Sequence, residues 1–187
     1  MTLNAAEVRV GTTGHVYFAI PGTPLPTDVT TPLGAAFREL GYLETGPEKS
    51  VDTTKQLHTP WQAKTAVRQT VSEQQTKQVF TIWQRNGANL KTVNGGGTVV
   101  AGTNGATIYR PPADVATTTG VWVIETIDGS IIDRECLESG SATLGGSIAT
   151  KKDGVTGYPL ELVYLTPPSG DSPWVLVTND PAVPVDA

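Results

Sequence analysis

The sequence has one cysteine, two histidines and one methionine. No apolar run approaches the ~20 residues of a membrane span. The lone Cys136 excludes an internal disulfide and every multi-cysteine metal site. Neither His15 nor His58 belongs to a metal-binding pair such as H-x-x-x-H. Lys and Arg number 13 against 18 Asp and Glu, for a formal net charge of −5. A nucleic-acid binder that relies on a basic stripe is therefore disfavoured. The first residues lack a basic segment followed by an apolar run, so no signal peptide is expected.

What the chain does contain is threonine and valine, 28 and 20 residues, both β-branched and both better suited to strands than to helices. Val, Leu, Ile and Phe together number 44 of 187, a little above the ~20% below which a chain tends to stay disordered. Gly and Pro sum to 34, heavy punctuation that suits short strands and tight turns. The length fits one domain, residues 1–187. No repeat at a fixed period is present. The expectation is a mainly β fold with one or two short helices and extended arms.

Read along the chain, residues 1–10 form an N-terminal arm. Val16, Phe18 and Ile20 alternate with Tyr17 and Ala19 as a first strand stopped by Pro21. Four prolines over 21–32 demand an extended loop. Thr31 as N-cap, Pro32, and Leu33, Phe37 and Leu40 at helical spacing predict a short helix ended by Gly41. Residues 42–60 read as a long polar loop. Strands are expected over 62–72 and 76–83, separated by Glu73-Gln74-Gln75, the second buried on both faces. A helix over 84–92 follows, weakened by Gly87, then a Gly-rich strand or two through Ile108. The clearest signal is a hairpin, Val121–Ile127 and Ser130–Leu137, about an Asp128-Gly129 turn. Further strands are expected over 141–150 and 158–166, around the turn Lys151-Lys152-Asp153-Gly154. The Pro-rich residues 167–187 read as a C-terminal arm, with Trp174–Thr178 as its one ordered strand.

No set of residues converges on a recognisable chemistry. Cys136 lies in a predicted strand beside Glu135, where an inert buried thiol is expected. The run Gly95-Gly96-Gly97 lacks the lysine of a phosphate cradle, and after Gly140 and Gly145 it is Gly146 that stands in the lysine position. Glu125, Asp128, Asp133, Glu135 and Glu138 gather about the hairpin with only Arg134 opposing them. Asp133 and Glu135 share one strand face, which suggests a solvated surface in preference to a glycosidase pair. Trp61, Trp83, Trp122 and Trp174 read as core or interface anchors. No catalytic, cofactor-binding or metal-ligating residue is assigned.

Ile20-Pro21, Leu25-Pro26-Thr27-Asp28 and Leu40-Gly41-Tyr42 follow one another within Val10–Gly46. After them come the Thr-rich segment Lys64–Trp83, the short segment Gln84–Thr92, Ile132-Asp133-Arg134, Gly145-Gly146 and Tyr158-Pro159-Leu160-Glu161-Leu162. This ordered set, spanning about Val10–Pro167, resembles the major tail proteins of long-tailed, non-contractile phages, particularly those of actinobacterial hosts.

The resemblance implies a β-sandwich or barrel subunit, flanked by a helix, in the phage virion. Six copies would form a ring, and stacked rings would form the tail tube through which DNA leaves the capsid. It implies as partners further copies of the chain, the tape measure protein, the tail terminator and the distal tail or baseplate proteins, with no membrane insertion. DNA would pass without specific binding, because a lumen rich in Lys and Arg would hold the phosphates. Asp133, Glu135 and Glu138 are accordingly the candidate lumen-lining residues, drawn from 130–138, with 62–72 the competing segment. Another virion component, such as a tail terminator or capsid decoration protein, or a β-sandwich binding module, is the alternative. Assembly behaviour separates them, since only a tube protein polymerises.

Overall fold

Ten strands and one α-helix occur among the described residues, 3–114, 116–150 and 152–184, of the computed structural model. In chain order they are β1 (Thr13–Ala19), β2 (Arg38–Glu39), β3 (Glu48–His58), β4 (Arg68–Ile82), α1 (Gly87–Val93), β5 (Thr98–Ala101), β6 (Thr107–Arg110), β7 (Thr118–Asp128), β8 (Ile131–Leu144), β9 (Tyr158–Tyr164) and β10 (Val175–Thr178). The fold is mainly β, 45% strand and 7% helix, as the β-branched composition predicts. One antiparallel sheet runs in the order β2-β1-β7-β8-β9-β4-β3, with β10 added to β8, and β5 and β6 form a separate hairpin.

The expected hairpin is the centre of the sheet. Asp128 pairs with Ile131, so the two-residue loop is Gly129-Ser130, one residue later than predicted, with Gly129 at φ +63°. On one face Val16, Trp122, Ile124, Leu137, Ala142, Leu160, Leu162, Phe80 and Ile82 enter a single buried cluster. Those residues come from β1, β7, β8, β9 and β4, so the sheet must curl for its distant strands to meet, as twisted sheets do. Val93 of α1 belongs to the same cluster, with Leu90 packed against it. Asn86 caps α1 by accepting from the Asn89 amide at 2.8 Å, and Arg38 donates to Asn89 and Thr92, both at 2.7 Å.

On the opposite face the proline-rich loop 20–37 folds back. Arg134 Nη1 donates to the carbonyls of Asp28 (2.8 Å) and Thr31 (2.9 Å), and Val29 is buried. Asp28 Oδ1 accepts the Thr30 and Thr31 amides at 2.8 and 2.6 Å, a side-chain turn typical of aspartate. These bonds hold its carboxyl down at about 2.

Five expectations fail. No helix forms over 32–40. The segment is only two turns long, contains Gly34, and is out-competed when Leu40 donates its amide to the Val16 carbonyl (2.9 Å) and buries completely beside β1. Residues 42–60 are no loop, because β3 occupies most of them, paired with β4 from Glu48↔Val79 to His58↔Arg68. The strands expected over 62–72 and 76–83 are one strand, β4, running through Glu73-Gln74-Gln75, with residues 59–67 as the hairpin connection. Its end is not buried on both faces, since Val79 and Trp83 are each more than a third exposed. The strand expected over 141–150 stops at Leu144. The outermost residues of both expected arms, 1–2 and 185–187, and Lys151 of the expected turn lie outside the described residues.

Candidate assembly surfaces

The features a partner would meet are edges and arms. β4 pairs with β9 only from Lys77 to Ile82, whereas its pairing with β3 continues to Arg68. Nine residues at ~3.3 Å each carry this two-stranded arm roughly 30 Å past the sheet. All eleven residues of β3 are exposed. Beyond Lys77 the arm has both backbone edges unpaired, and a bulge near Thr54 and Ser72 twists it. What holds it locally is polar: Lys77 to Asp52 (3.1 Å), His58 to Thr70 (2.8 Å) and Ser72 Oγ to the Thr54 carbonyl (3.2 Å). An isolated two-stranded ribbon is marginally stable in water, and a long exposed edge is a template for another chain. The arm was hidden from periodicity reading for the same reason: neither of its faces is buried within one chain, so neither is apolar.

The base of the arm is locked to the body and to the C-terminal segment at one cluster. Lys49 donates to Glu135 (2.6 Å) and lies 3.5 Å from the centre of the Trp174 ring and 5.2 Å from that of Tyr164. Tyr164 donates its hydroxyl to the same carboxylate, and burial together with that bond pushes its phenol up. Gln78 is buried beside Glu135, at 3.5 Å.

The two ends of the described chain are clasped together. Arg9 grips Asp180 with two donors, Nε to Oδ2 at 2.7 Å. The Val10 amide donates to Asp128 (3.0 Å), Thr178 donates to Asp133, and Asn179 joins Ser130 and Ile132. β10 thereby covers the stretch of β8, Asp133–Cys136, that β9 leaves unpaired. The Arg9 bond and the Ala182 amide hold the Asp180 carboxyl below its ordinary value. A depressed carboxylate contributes stability that is present above the unfolded pKa, about 3.9, and lost as pH falls through the folded one. Protection of the amides over 175–178, taken as the measured exchange rate relative to the intrinsic rate at the same pH, is therefore expected to be high at pH 7 and to fall below about pH 4, with an Asp180→Asn protein weakly protected throughout. Protection independent of pH, and equal in both proteins, would remove the clasp from the account.

Asp133, Glu135 and Glu138, the three singled-out acids, are all half-buried in the single chain. Asp133 accepts from Thr178, Glu135 from Lys49 and Tyr164, and Glu138 from Ser169 at 2.7 Å, so the C-terminal segment attends two of them directly. Asp133 and Glu135 do share a strand face, but it is not the free solvated surface that the sequence suggested. Glu125 was grouped with them and belongs elsewhere: it is buried on the opposite face, accepting Arg134 Nε at 2.7 Å. Sequence reading did not find that pair. Its signal was the cross-strand register about the Asp-Gly turn, which a one-residue shift of the loop obscures.

Elsewhere the chemistry is quiet. Cys136 is buried and its thiol is pushed up to about 12 by desolvation. His15 pairs with Glu39 at 2.7 Å. Among the described residues no three His, Cys, Asp or Glu side chains are grouped to hold a metal, and no helix is long and apolar enough to cross a membrane. Gly95, Gly96 and Gly97 all take positive φ, and a Cβ on Gly95 would strike the Ala116 carbonyl at 2.1 Å, so they serve the turn after α1.

A curled antiparallel sheet with a projecting ribbon, open edges and clasped ends defines a structural subunit built to join other chains. The family model for phage tail tube proteins matches residues 1–187, and the chain belongs to that family. It is thus a major tail protein, a structural component of the virion tail. No curated protein matches it.

Proposed function

We propose that six copies of this chain close a ring, that rings stack into the tail tube, and that the tube is the conduit for DNA ejection into the host. The observation that supports this best is surface. The folded chain exposes 12357 Å², whereas a compact monomer of 19.7 kDa exposes about 8,600 Å². The excess, equal to the area two or more specific interfaces bury, is what a subunit with neighbours in the ring and along the axis requires. The tape measure protein, the terminator and the distal tail proteins are the further partners of such a tube, and assembly takes place in the host cytoplasm. The test is negative-stain microscopy and sedimentation of the purified protein. Tubes of constant diameter are expected. Single rings that never lengthen, or a monomer under every condition, would overturn the stacked-ring reading.

Within that reading β8 faces the channel through Asp133, Glu135 and Glu138, which their contacts with Thr178, Lys49 and Ser169 leave half-buried in the single chain. The competing segment, 62–72, contains Lys64 and Arg68 and no acid, a composition that would retain DNA phosphates. Tubes of the triple Asp133→Lys, Glu135→Lys, Glu138→Lys protein are expected to retain DNA in a salt-dependent way and to slow ejection. Unchanged ejection with DNA bound on the tube exterior would place the acids outside.

A further inference from the structure

The connection at the end of the β3–β4 arm carries Trp61, which is 99% exposed. A tryptophan that buries nothing is out of place on a free surface. Exposed tryptophan at the tip of a projecting element is the residue type that most often anchors an interface once it finds a pocket. The tip is also distinctive in charge. Residues 54–72 contain Lys55, Lys64 and Arg68 and no Asp or Glu, so the formal −5 of the chain divides into +3 on the tip and −8 on the rest. A positive tip on a negative body is attracted to the body of a second copy, and the field steers the encounter.

Among the described residues the body offers a pocket of suitable chemistry. The loop 20–37 encloses a cavity of about 360 Å³ walled by Pro24, Leu25, Pro26, Leu33 and Phe37, with Asp28 at its rim. That volume falls at the low end of small-molecule pockets, about 300–1,000 Å³, and admits an indole. Proline rings and an aromatic edge make a flat apolar seat for it. Asp28 stays ionised, since its carboxyl is held at about 2, and it would meet Lys64, three residues from Trp61. The larger cavity, about 860 Å³ beside β1, is walled by Glu39, Glu44 and several threonines and suits an indole poorly. Within one chain Trp61 stands free of the pocket, so an indole seated there would come from another molecule.

We infer that Trp61 of one subunit seats in the proline-walled pocket of the next. The contact joins two different patches, which makes it heterologous: each subunit offers one tip and one pocket, and the series has no built-in end. This rests on the tube reading above and specifies which surfaces meet.

The test is a Trp61→p-benzoylphenylalanine protein, mixed with ¹⁵N-labelled wild-type chain, assembled and irradiated. The expected product is an intermolecular cross-link mapped by fragment ions to residues 23–37. In parallel, Trp61→Ala is expected to raise the critical concentration for polymerisation about tenfold or more without moving the melting temperature of the monomer, and Trp61→Phe to lie between. Cross-links to residues 39–47, to the sheet or to another tip, or Trp61→Ala tubes forming at the wild-type concentration, would overturn the seating while leaving the tube intact. A wild-type chain that never polymerises would overturn both.

Discussion

Joining Thr53 directly to Gln74 through an Asn-Gly turn is expected to leave a folded monomer that cannot form tubes. Thr53 and Gln74 face each other in the ladder, and Asn-Gly supplies the positive φ values a two-residue turn needs, so the shortened hairpin closes without strain. The replaced residues, 54–73, contribute no buried side chain. Exposed positions each contribute little to stability, so the melting temperature should move far less than it would on loss of a buried side chain. Assembly should suffer far more. The arm supplies two unpaired edges, the basic tip and Trp61, and loss of a central aromatic anchor alone costs about 2 kcal/mol or more at an interface. Losing all of them removes the association. The measurements are circular dichroism melting for the fold and sedimentation velocity with microscopy for the polymer. Normal tubes from the shortened chain would show that the arm is dispensable. An unfolded chain would show that it supports the body, contrary to its exposure.

Arg134→Met is expected to destabilise the sheet strongly. Arg134 is 5% exposed and Glu125 8%. Removing the guanidinium strands a buried carboxylate and deprives two loop carbonyls, those of Asp28 and Thr31, of their donor. Breaking a buried pair from one side costs about 3–5 kcal/mol, or roughly 10 °C in a domain of this size. The loop 20–37 should loosen with it, and the pocket proposed for Trp61 lies in that loop. Adding Glu125→Leu should recover much of the loss, because an apolar replacement of both partners is often close to neutral. Melting curves of the single and double variants at pH 7 decide the matter. A single variant that melts with the wild type at pH 7 would mean that the pair contributes little and the loop is held by other contacts.

Legibility in the sequence followed burial. β1, the β7–β8 hairpin, β9 and the strand at 175–178 were readable because each has residues whose apolar character alternates or runs continuously, and the Asp-Gly pair marks the turn. A helix was expected over 84–92 despite Gly87, and α1 forms over Gly87–Val93. The family was readable as well, from the order of short motifs between Val10 and Pro167. Tertiary structure decided the rest. Leu33, Phe37 and Leu40 have helical spacing, yet the open edge of β1 offers Leu40 a backbone bond and complete burial, which two turns of helix cannot match. Residues 48–58 have no apolar face, so nothing local announces β3; its partner β4 defines it, and its exposed faces await other chains. Asp133 and Glu135 were correctly placed on one strand face. That Lys49, Tyr164 and Thr178 would reach them, and that Glu125 would cross to Arg134 on the other side, depends on how the sheet curls and where the C-terminal segment returns. The sequence by itself determined the strand-rich class and the family, because both are written in local composition and order. Only the folded chain decided which polar residues are held internally and which are left for a neighbour, because pairing between residues distant in sequence is set by register and curvature that no local pattern encodes.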